Sequence, residues 1–392
     1  MPGDAQPLTI GVPKETAAGE RRVALVPNDI RALKKAGFEV VVESGAGLLS
    51  GFPDAAYAKQ GGRIAASRAE LDTANVIVHV RAGAADPLEP LAVPQQLQAN
   101  QILIALCDPL WDPKPMSALA ERHVTSFALE LMPRISRAQS MDVLSSMATI
   151  VGYKAVVLAA NASPRMFPMM MTAAGTLTPA KVFVVGAGVA GLQAISTARR
   201  LGAIVSGYDV RPAAKEQIQS VGGKAVDLGV DSGNAEAQGG YARAMDDDFY
   251  RRQRAAMAKF VGDSDVVITT ASVPGKKAPV LVTSEMVAGM APGSVLVDVA
   301  AERGGNCEAT RPGQTVDVGG VTVIGLVNIA STVAHHASQM FSRNVTAFLV
   351  HLRQHGLPEV DGSDEIIRET LVTRAGEVVH PSVLDKLGSL VS

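Results

Sequence analysis

An α/β protein with two parallel-sheet domains, one inserted into the chain of the other, is predicted by three features of this sequence. At 392 residues the chain exceeds what one compact core ordinarily organises. Short β-branched apolar runs alternate with helical stretches from residue 8 to about 130, and again from 181 to 325. A long amphipathic stretch, Asn328 to His355, then returns the chain to the first domain. The expected boundaries are 1–145 with 329–392 for the discontinuous domain and 146–328 for the inserted one.

In the first domain the strands read as Leu8–Val12, Glu39–Val42, Val76–Val80, Ile102–Leu106 and Thr125–Ala128, with a helix from about Asn28 to Ala36. Gly45, Gly47 and Gly51 follow a strand, but their spacing is GxGxxxG and Pro53 comes soon after, so they read as turn chemistry. From Pro133 a polar loop runs into a long helix carrying Leu144, Met147, Val151, Val156 and Leu158. Arg134, Gln139, Asp142 and Ser145 stand at its polar start. Free amides there suit a ligand, and a capped, solvated helix start suits the same residues. The run Met169-Met170-Met171 reads as adaptable core. The tail after Gly356 reads as polar.

The inserted domain is organised around KVFVVGAGVAGLQAISTARRLGAIVSGYDVR, Lys181 to Arg211. Lys181–Val185 is a strand, Gly186-Ala187-Gly188-Val189-Ala190-Gly191 supplies GxGxxG, a helix follows to Gly202, and Asp209 closes the next strand. A pyrophosphate approaches backbone only where side chains are absent, and unpaired amides at a helix N-terminus hold it. Asp209 stands 18 residues beyond Gly191, near the offset of about 20 at which a carboxylate meets ribose hydroxyls. That acid repels a 2′-phosphate and favours NAD(H), whereas Arg211 is of a type that receives one. In this strand-turn-helix context the motif predicts dinucleotide binding. The fold expected is thus two Rossmann-like domains with the NAD-binding one inserted. Later strands read as Lys224–Val226, Asp265–Thr270, Ser294–Val299 and Val321–Gly325, the last ending the sheet.

Composition narrows the function classes. A formal charge of −2 gives no basic field, so no nucleic-acid partner is expected. Two distant cysteines, Cys107 and Cys307, indicate neither a disulfide framework nor a CxxC metal site. His335 and His336 are adjacent, point about 100° apart on a helix, and do not share one ion easily. No metal is expected. No cationic leader precedes an apolar run, and no uninterrupted apolar stretch of membrane length is evident. A cytosolic setting without a membrane span is the expectation.

Five stretches carry a resemblance over nearly the whole chain: GVPKE from Gly11, ERRVALVP from Glu20, GAGVAG, DVRPAAKEQ from Asp209 and VDVAAERGGN from Val297. They resemble the alanine dehydrogenase and nicotinamide nucleotide transhydrogenase superfamily. PRISRAQSMDVLSS at Pro133 to Ser146 is similar to the arginine-glutamine-aspartate loop of the proton-translocating NAD(P) transhydrogenase alpha subunit, and Gly239-Gly240-Tyr241 to that branch's mobile loop. In the dehydrogenase branch a lysine stands where this chain has His79-Val80-Arg81, and a histidine acid/base at or next to Asp108. A later aspartate of that branch is replaced by Glu302. Arg22 alone keeps the substrate-binding arginine. Many members of the transhydrogenase branch carry glutamine where this chain has Met147.

The resemblance implies that Gly186, Gly188 and Val189 line a pyrophosphate, that Asp209, Val210 and Arg211 handle the adenosine ribose, and that Gly240, Tyr241 and Ala271 add lid and strand-end contacts. It implies that Arg134, Gln139, Asp142 and Ser145 orient the nicotinamide. No second fingerprint stands in strand-turn-helix context, so NADP(H) is expected on a partner subunit. The implied protein is the soluble NAD(H)-binding component of a split alpha subunit, homodimeric, docked at the cytoplasmic face on membrane-spanning partners. Its implied reaction is direct hydride transfer from NADH to NADP⁺ coupled to proton translocation. The alternatives are an amino-acid dehydrogenase and a non-catalytic NAD(H)-binding module.

Overall fold

The computed structural model describes residues 7–82, 97–230, 245–273, 275–359 and 362–391. The chain divides into two compact units, residues 1–147 with 331–392, and residues 148–330.

The first unit is built on an eight-stranded sheet in the order Glu377–Val378, Leu371–Arg374, Thr125–Ala128, Ile102–Leu106, Val76–Arg81, Leu8–Val12, Phe38–Glu43, Arg63–Ala65. The six strands from Thr125–Ala128 to Arg63–Ala65 run parallel, with Ile10 opposite both Val40 and Val76. Every residue of Val76–Arg81 is buried, His79 and Arg81 included, as in a strand covered on both faces.

The C-terminal tail belongs to this sheet, against the expectation of a polar tail. Asp364 caps the helix Glu365–Thr370 by accepting from Ile366 N and Ile367 N. The strand Leu371–Arg374 then pairs antiparallel with Thr125–Ala128. Ile366, Ile367, Val372 and Val383 are all fully buried. Their apolar runs are only one or two residues long and lie among charges, too short for either period to register.

The second unit holds a seven-stranded sheet in the order Lys224–Ala225, Ile204–Tyr208, Lys181–Val185, Val266–Thr269, Val295–Asp298, Val321–Gly325, Gln314–Val318. The order reverses at Lys181–Val185, the switch point outside which doubly wound sheets bind ligands. Strand residues alternate between two cores. Val182, Val184, Val266 and Ile268 join Ala194 and Ile195 on one face, while Phe183, Val185, Val267 and Leu296 join Met257 and Val287 on the other. Val321–Gly325 does not end the sheet. Gln314–Val318 pairs antiparallel outside it through Gly319-Gly320, both at positive φ, the geometry of a tight hairpin. This edge strand is largely exposed, and its alternation is confined to Val316-Asp317-Val318, too short to register.

Two further features differ from the sequence reading. The methionine run is not core: Met170–Thr172 and Gly175–Leu177 form an exposed hairpin, with Met171 78% accessible. Adjacent residues of a strand face opposite ways, so one packed face buries only part of such a run. And the helix Val143–Ala162 is long and apolar enough to cross a membrane, despite Gly152 and Lys154. Part of its apolar surface serves packing. Ala155, Val156 and Ala159 lie in the second unit's core, and a Cβ on Gly152 would fall 2.1 Å from the Ala190 carbonyl oxygen, so this helix rides directly on neighbouring backbone.

Candidate functional site

The glycine turn is held at the end of Lys181–Val185 by close backbone approach. Gly186 has φ +95°, and a Cβ there would meet Thr270 Oγ1 at 2.7 Å and Ala271 N at 3.0 Å. A Cβ on Gly191 would lie 1.8 Å from the Gly186 carbonyl oxygen, so the first turn of the helix Val189–Arg200 packs against the strand end only as glycine. Gly188 is different. It precedes that helix with no side-chain cap, and a Cβ on it would meet nothing within 4 Å. Gly188 is exposed, and among the described residues no side chain caps this helix start.

Asp209 closes the neighbouring strand and turns back to this turn. Its Oδ2 accepts from Ala187 N at 2.7 Å and from Arg211 Nη2 at 2.9 Å; its Oδ1 accepts from Arg211 N and Nε at 2.9 and 2.8 Å. The fork ties Arg211 to the acid that the motif assigns to the ribose. Arg211 is thus turned inward on Asp209, with Val210 half-buried between them. Gly186, Ala187, Asp209, Arg211 and Ala271 come together at one sheet end, while Gly240 and Tyr241 lie outside the described residues.

Two residues that the fingerprint does not name brace this end. Asp298, fully buried, accepts from Thr269 Oγ1, Ala300 N, Asn306 N, Cys307 N and Thr310 Oγ1 at 2.6 to 3.1 Å. Burial raises its carboxyl above the usual range, against those donors. Asn306, so fixed, accepts from Ala271 N at 3.0 Å and donates to Ala271 O at 2.9 Å. Both lie in the VDVAAERGGN stretch, whose resemblance was the available signal.

In the first unit, Arg134 and Gln139 are exposed around a 3₁₀ turn, Ser136–Met141. Asp142 accepts from Ser145 N at 2.8 Å and Ser145 Oγ at 2.6 Å, which caps the start of Val143–Ala162. Asn344 Nδ2 donates to Ser140 O at 2.8 Å, and Arg137 pairs with Asp364 at 3.0 Å, so the turn is anchored on both sides of Gln139.

The first unit also holds a buried ionic cluster. Arg22 donates through Nε and Nη2 to Glu20 at 2.8 and 2.6 Å, and Arg81 Nε is 3.4 Å from the same carboxylate. The fork of the one arginine kept from the dehydrogenase pattern is thus taken up by the chain's own acid. Arg22 Nη1 also donates to Met147 Sδ at 3.3 Å, so Met147 faces inward here and not into the exposed turn. His79 lies 3.2 Å from Glu15. Asp108, at φ +49°, donates its amide to Glu130 together with Cys107.

Residues 11–151 match the N-terminal domain, and residues 155–381 the C-terminal domain, of the alanine dehydrogenase/PNT family. An NAD(P) transhydrogenase alpha-subunit chain of Rhodospirillum rubrum is 44% identical over 96% of this chain and 99% of its own length. A crystal structure of transhydrogenase from Sinorhizobium meliloti superposes with a TM-score of 0.81 at 44% identity, over 95% of this chain and 99% of that one. The alanine dehydrogenase of Methanococcus maripaludis is more distant, 29% identical over 96% of this chain and 95% of its own. Together with the glycine turn, Asp209 and the arginine-glutamine-aspartate turn, these likenesses mean that the chain belongs to the alanine dehydrogenase/PNT family and, within it, to the NAD(P) transhydrogenase alpha subunits.

Proposed function

We propose that this chain is the NAD(H)-binding component of a proton-translocating transhydrogenase, which passes hydride from NADH to NADP⁺ held on a partner subunit. The observation that carries the cofactor reading is the uncapped helix start at Gly188, open to solvent one strand away from Asp209. The amides of Val189 and its neighbours receive the pyrophosphate there. Asp209 receives the adenosine ribose, with Arg211 giving up its fork and Val210 alongside. Ala271 stands at the adjacent strand end, presented by Asn306. Gly240 and Tyr241 are the lid residues of this reading.

A bound nicotinamide supplies the hydride, and the reaction asks positioning of the protein more than proton transfer. Arg134, Gln139, Asp142 and Ser145 do that positioning: the Asp142–Ser145 cap fixes the helix start, and the anchored turn presents Gln139 outward. A dehydrogenase chemistry is disfavoured by Arg22, whose fork is neutralised by Glu20, and by Asp108 at the acid/base position. NADP(H) binding and the membrane span belong to partner subunits in this reading. The subunit acts as a homodimer on the cytoplasmic face, active only with those partners.

The test compares membranes carrying only the other subunits with the same membranes plus this chain, following hydride transfer from NADH to an NADP⁺ analogue. Activity appearing only on addition is expected. Gln139→Asn or Asp142→Asn is expected to lower transfer far more than NADH affinity; a loss of binding proportional to the loss of rate would sink the positioning role. Intact NADH binding without transfer, together with alanine-dependent NAD⁺ reduction, would move the chain to the dehydrogenase branch.

A further inference from the structure

The end of the helix Ala334–Gln354 and the start of Glu365–Thr370 bring together three potential metal ligands, none of them among the residues assigned to the cofactor. His351 and His355 are four residues apart, one helical turn, so their rings share a face and lie 4.2 Å apart. His351 Nε2 is 2.9 Å from Asp364 Oδ1, and His355 Nε2 is 4.0 Å from Asp364 Oδ2. Three ligand atoms, one from each residue, lie within 4.8 Å of one another.

Two of the three groups are also oriented from behind. His355 Nδ1 is 2.8 Å from the His351 carbonyl oxygen. A carbonyl only accepts, so that nitrogen carries the proton and Nε2 presents its lone pair toward Asp364. A backbone bond of this kind is how metal-binding imidazoles are held. Asp364 Oδ1 accepts from Ile366 N at 2.9 Å and Ile367 N at 3.3 Å, which fixes the carboxylate at a helix start. His355 is 37% exposed in its side chain and leaves a way in. The competing group is Arg137, whose Nη1 holds Asp364 Oδ2 at 3.0 Å and whose side chain is 57% exposed, free to swing away.

We propose that His351, His355 and Asp364 bind one borderline divalent cation of the Zn²⁺, Co²⁺ or Ni²⁺ class, in competition with Arg137 for Asp364. Two imidazole nitrogens with one carboxylate favour these ions over Mg²⁺ and Ca²⁺, which demand oxygen. Bonds of about 2.0–2.2 Å put tetrahedral ligand atoms about 3.3 Å apart, so Asp364 Oδ2 and His355 Nε2, 4.0 Å apart, close onto an ion with a shift below about 1 Å. The ion replaces the His351 Nε2 proton, which leaves to solvent, and waters complete the shell. Taking Asp364 Oδ2 releases Arg137, and so unties the Ser136–Met141 turn, which carries Gln139, from the Glu365–Thr370 helix.

The bland alternative is a hydrogen-bonded His–Asp–Arg network that needs no ion, and Arg137 separates the two. The full chain, stripped with a chelator, is titrated with Zn²⁺ by calorimetry and with Co²⁺ by its d–d absorption. One equivalent is expected, with the absorption of nitrogen and oxygen coordination. His355→Gln, at a partly exposed position, lowers Zn²⁺ affinity about tenfold or more. Arg137→Gln removes an opposing charge and raises it about fivefold. Thermal unfolding in chelator checks that both variants fold. No saturable equivalent, unchanged affinity in His355→Gln, or an affinity in Arg137→Gln that stays level or falls would each overturn the proposal.

Discussion

Glu20 and Glu130 are both buried carboxylates of the first unit, and burial pushes both upward, yet they end far apart because, among the described residues, only Glu20 has cations against it. Burial of Glu20 is outweighed by Arg22 and then Arg81, which hold it at about 2. Glu130 accepts the Cys107 and Asp108 amides on one oxygen, its Oε2 has no partner among the described residues, and burial drives it up to about 8. The consequences for stability have opposite sign. The Glu20 contribution is present above the unfolded value of 4.5 and is lost as pH falls toward about 2. Glu130 keeps a proton that the unfolded chain has shed above 4.5, so its contribution is full below that value and is lost as pH rises through about 8. Glu130→Gln preserves the acceptor for the two amides and removes the titration. Unfolding free energies from urea curves between about pH 5 and about pH 8 should therefore fall more steeply in the parent than in Glu130→Gln, by at most about 1.4 kcal/mol per pH unit. Parallel curves would show that Glu130 is ionised in the fold throughout.

Which residues were legible follows from where their information lies. The glycines and Asp209 act through backbone spacing along one strand-turn-helix unit, which sequence displays directly. Asp298 and Asn306 act by closing a loop onto another strand end, so their types stand in the sequence while their partners do not. His351 and His355 show helical spacing in the sequence, but Asp364 joins them only because the tail folds back.

That tail is the element whose weight sequence most understated. Ile366, Ile367, Val372 and Val383 are buried completely, and at about 1.5–3 kcal/mol for each such side chain their removal rivals the stability of a whole domain. Thr373 adds hydrogen bonds to Ser126 Oγ and Val124 O, both at 2.7 Å. Truncation after Gly356 also exposes the edge of Thr125–Ala128, the strand leading to the turn that carries Arg134 and Gln139. The expected result is loss of a cooperative transition in the first unit by calorimetry or hydrogen exchange, with the second unit's sheet still protected. A truncated chain that keeps full protection in Val76–Arg81 would contradict the assignment of this tail to the core. The central strands, by contrast, were readable nearly to the residue, because both sheets bury long β-branched runs on two faces. The edge strands Arg63–Ala65 and Gln314–Val318 were not, since half-exposed strands carry no comparable pattern.

At the scale of the molecule, the alternation of strands and helices in two blocks was enough for the nested α/β architecture, because parallel sheets need a crossover after nearly every strand. Association is a different matter, since it depends on what the fold leaves uncovered. Within the second unit Met166, Met169, Met170, Met171 and Leu177 are 48, 59, 39, 78 and 49% exposed on and beside one hairpin. Isolated two-stranded hairpins are marginal in water, and clustered exposed apolar side chains mark interaction surfaces. Methionine suits such a surface because its flexible thioether adapts to a partner. The hairpin is therefore the surface on which the proposed homodimer is expected to close. Met171→Asp puts a charge where the exposure is greatest and touches no core residue, so folding and NADH binding should persist while sedimentation velocity shows monomer at concentrations where the parent is dimeric. An unchanged dimer in that variant would remove the hairpin from the interface, and a parent that sediments as monomer at every concentration would remove the homodimer itself.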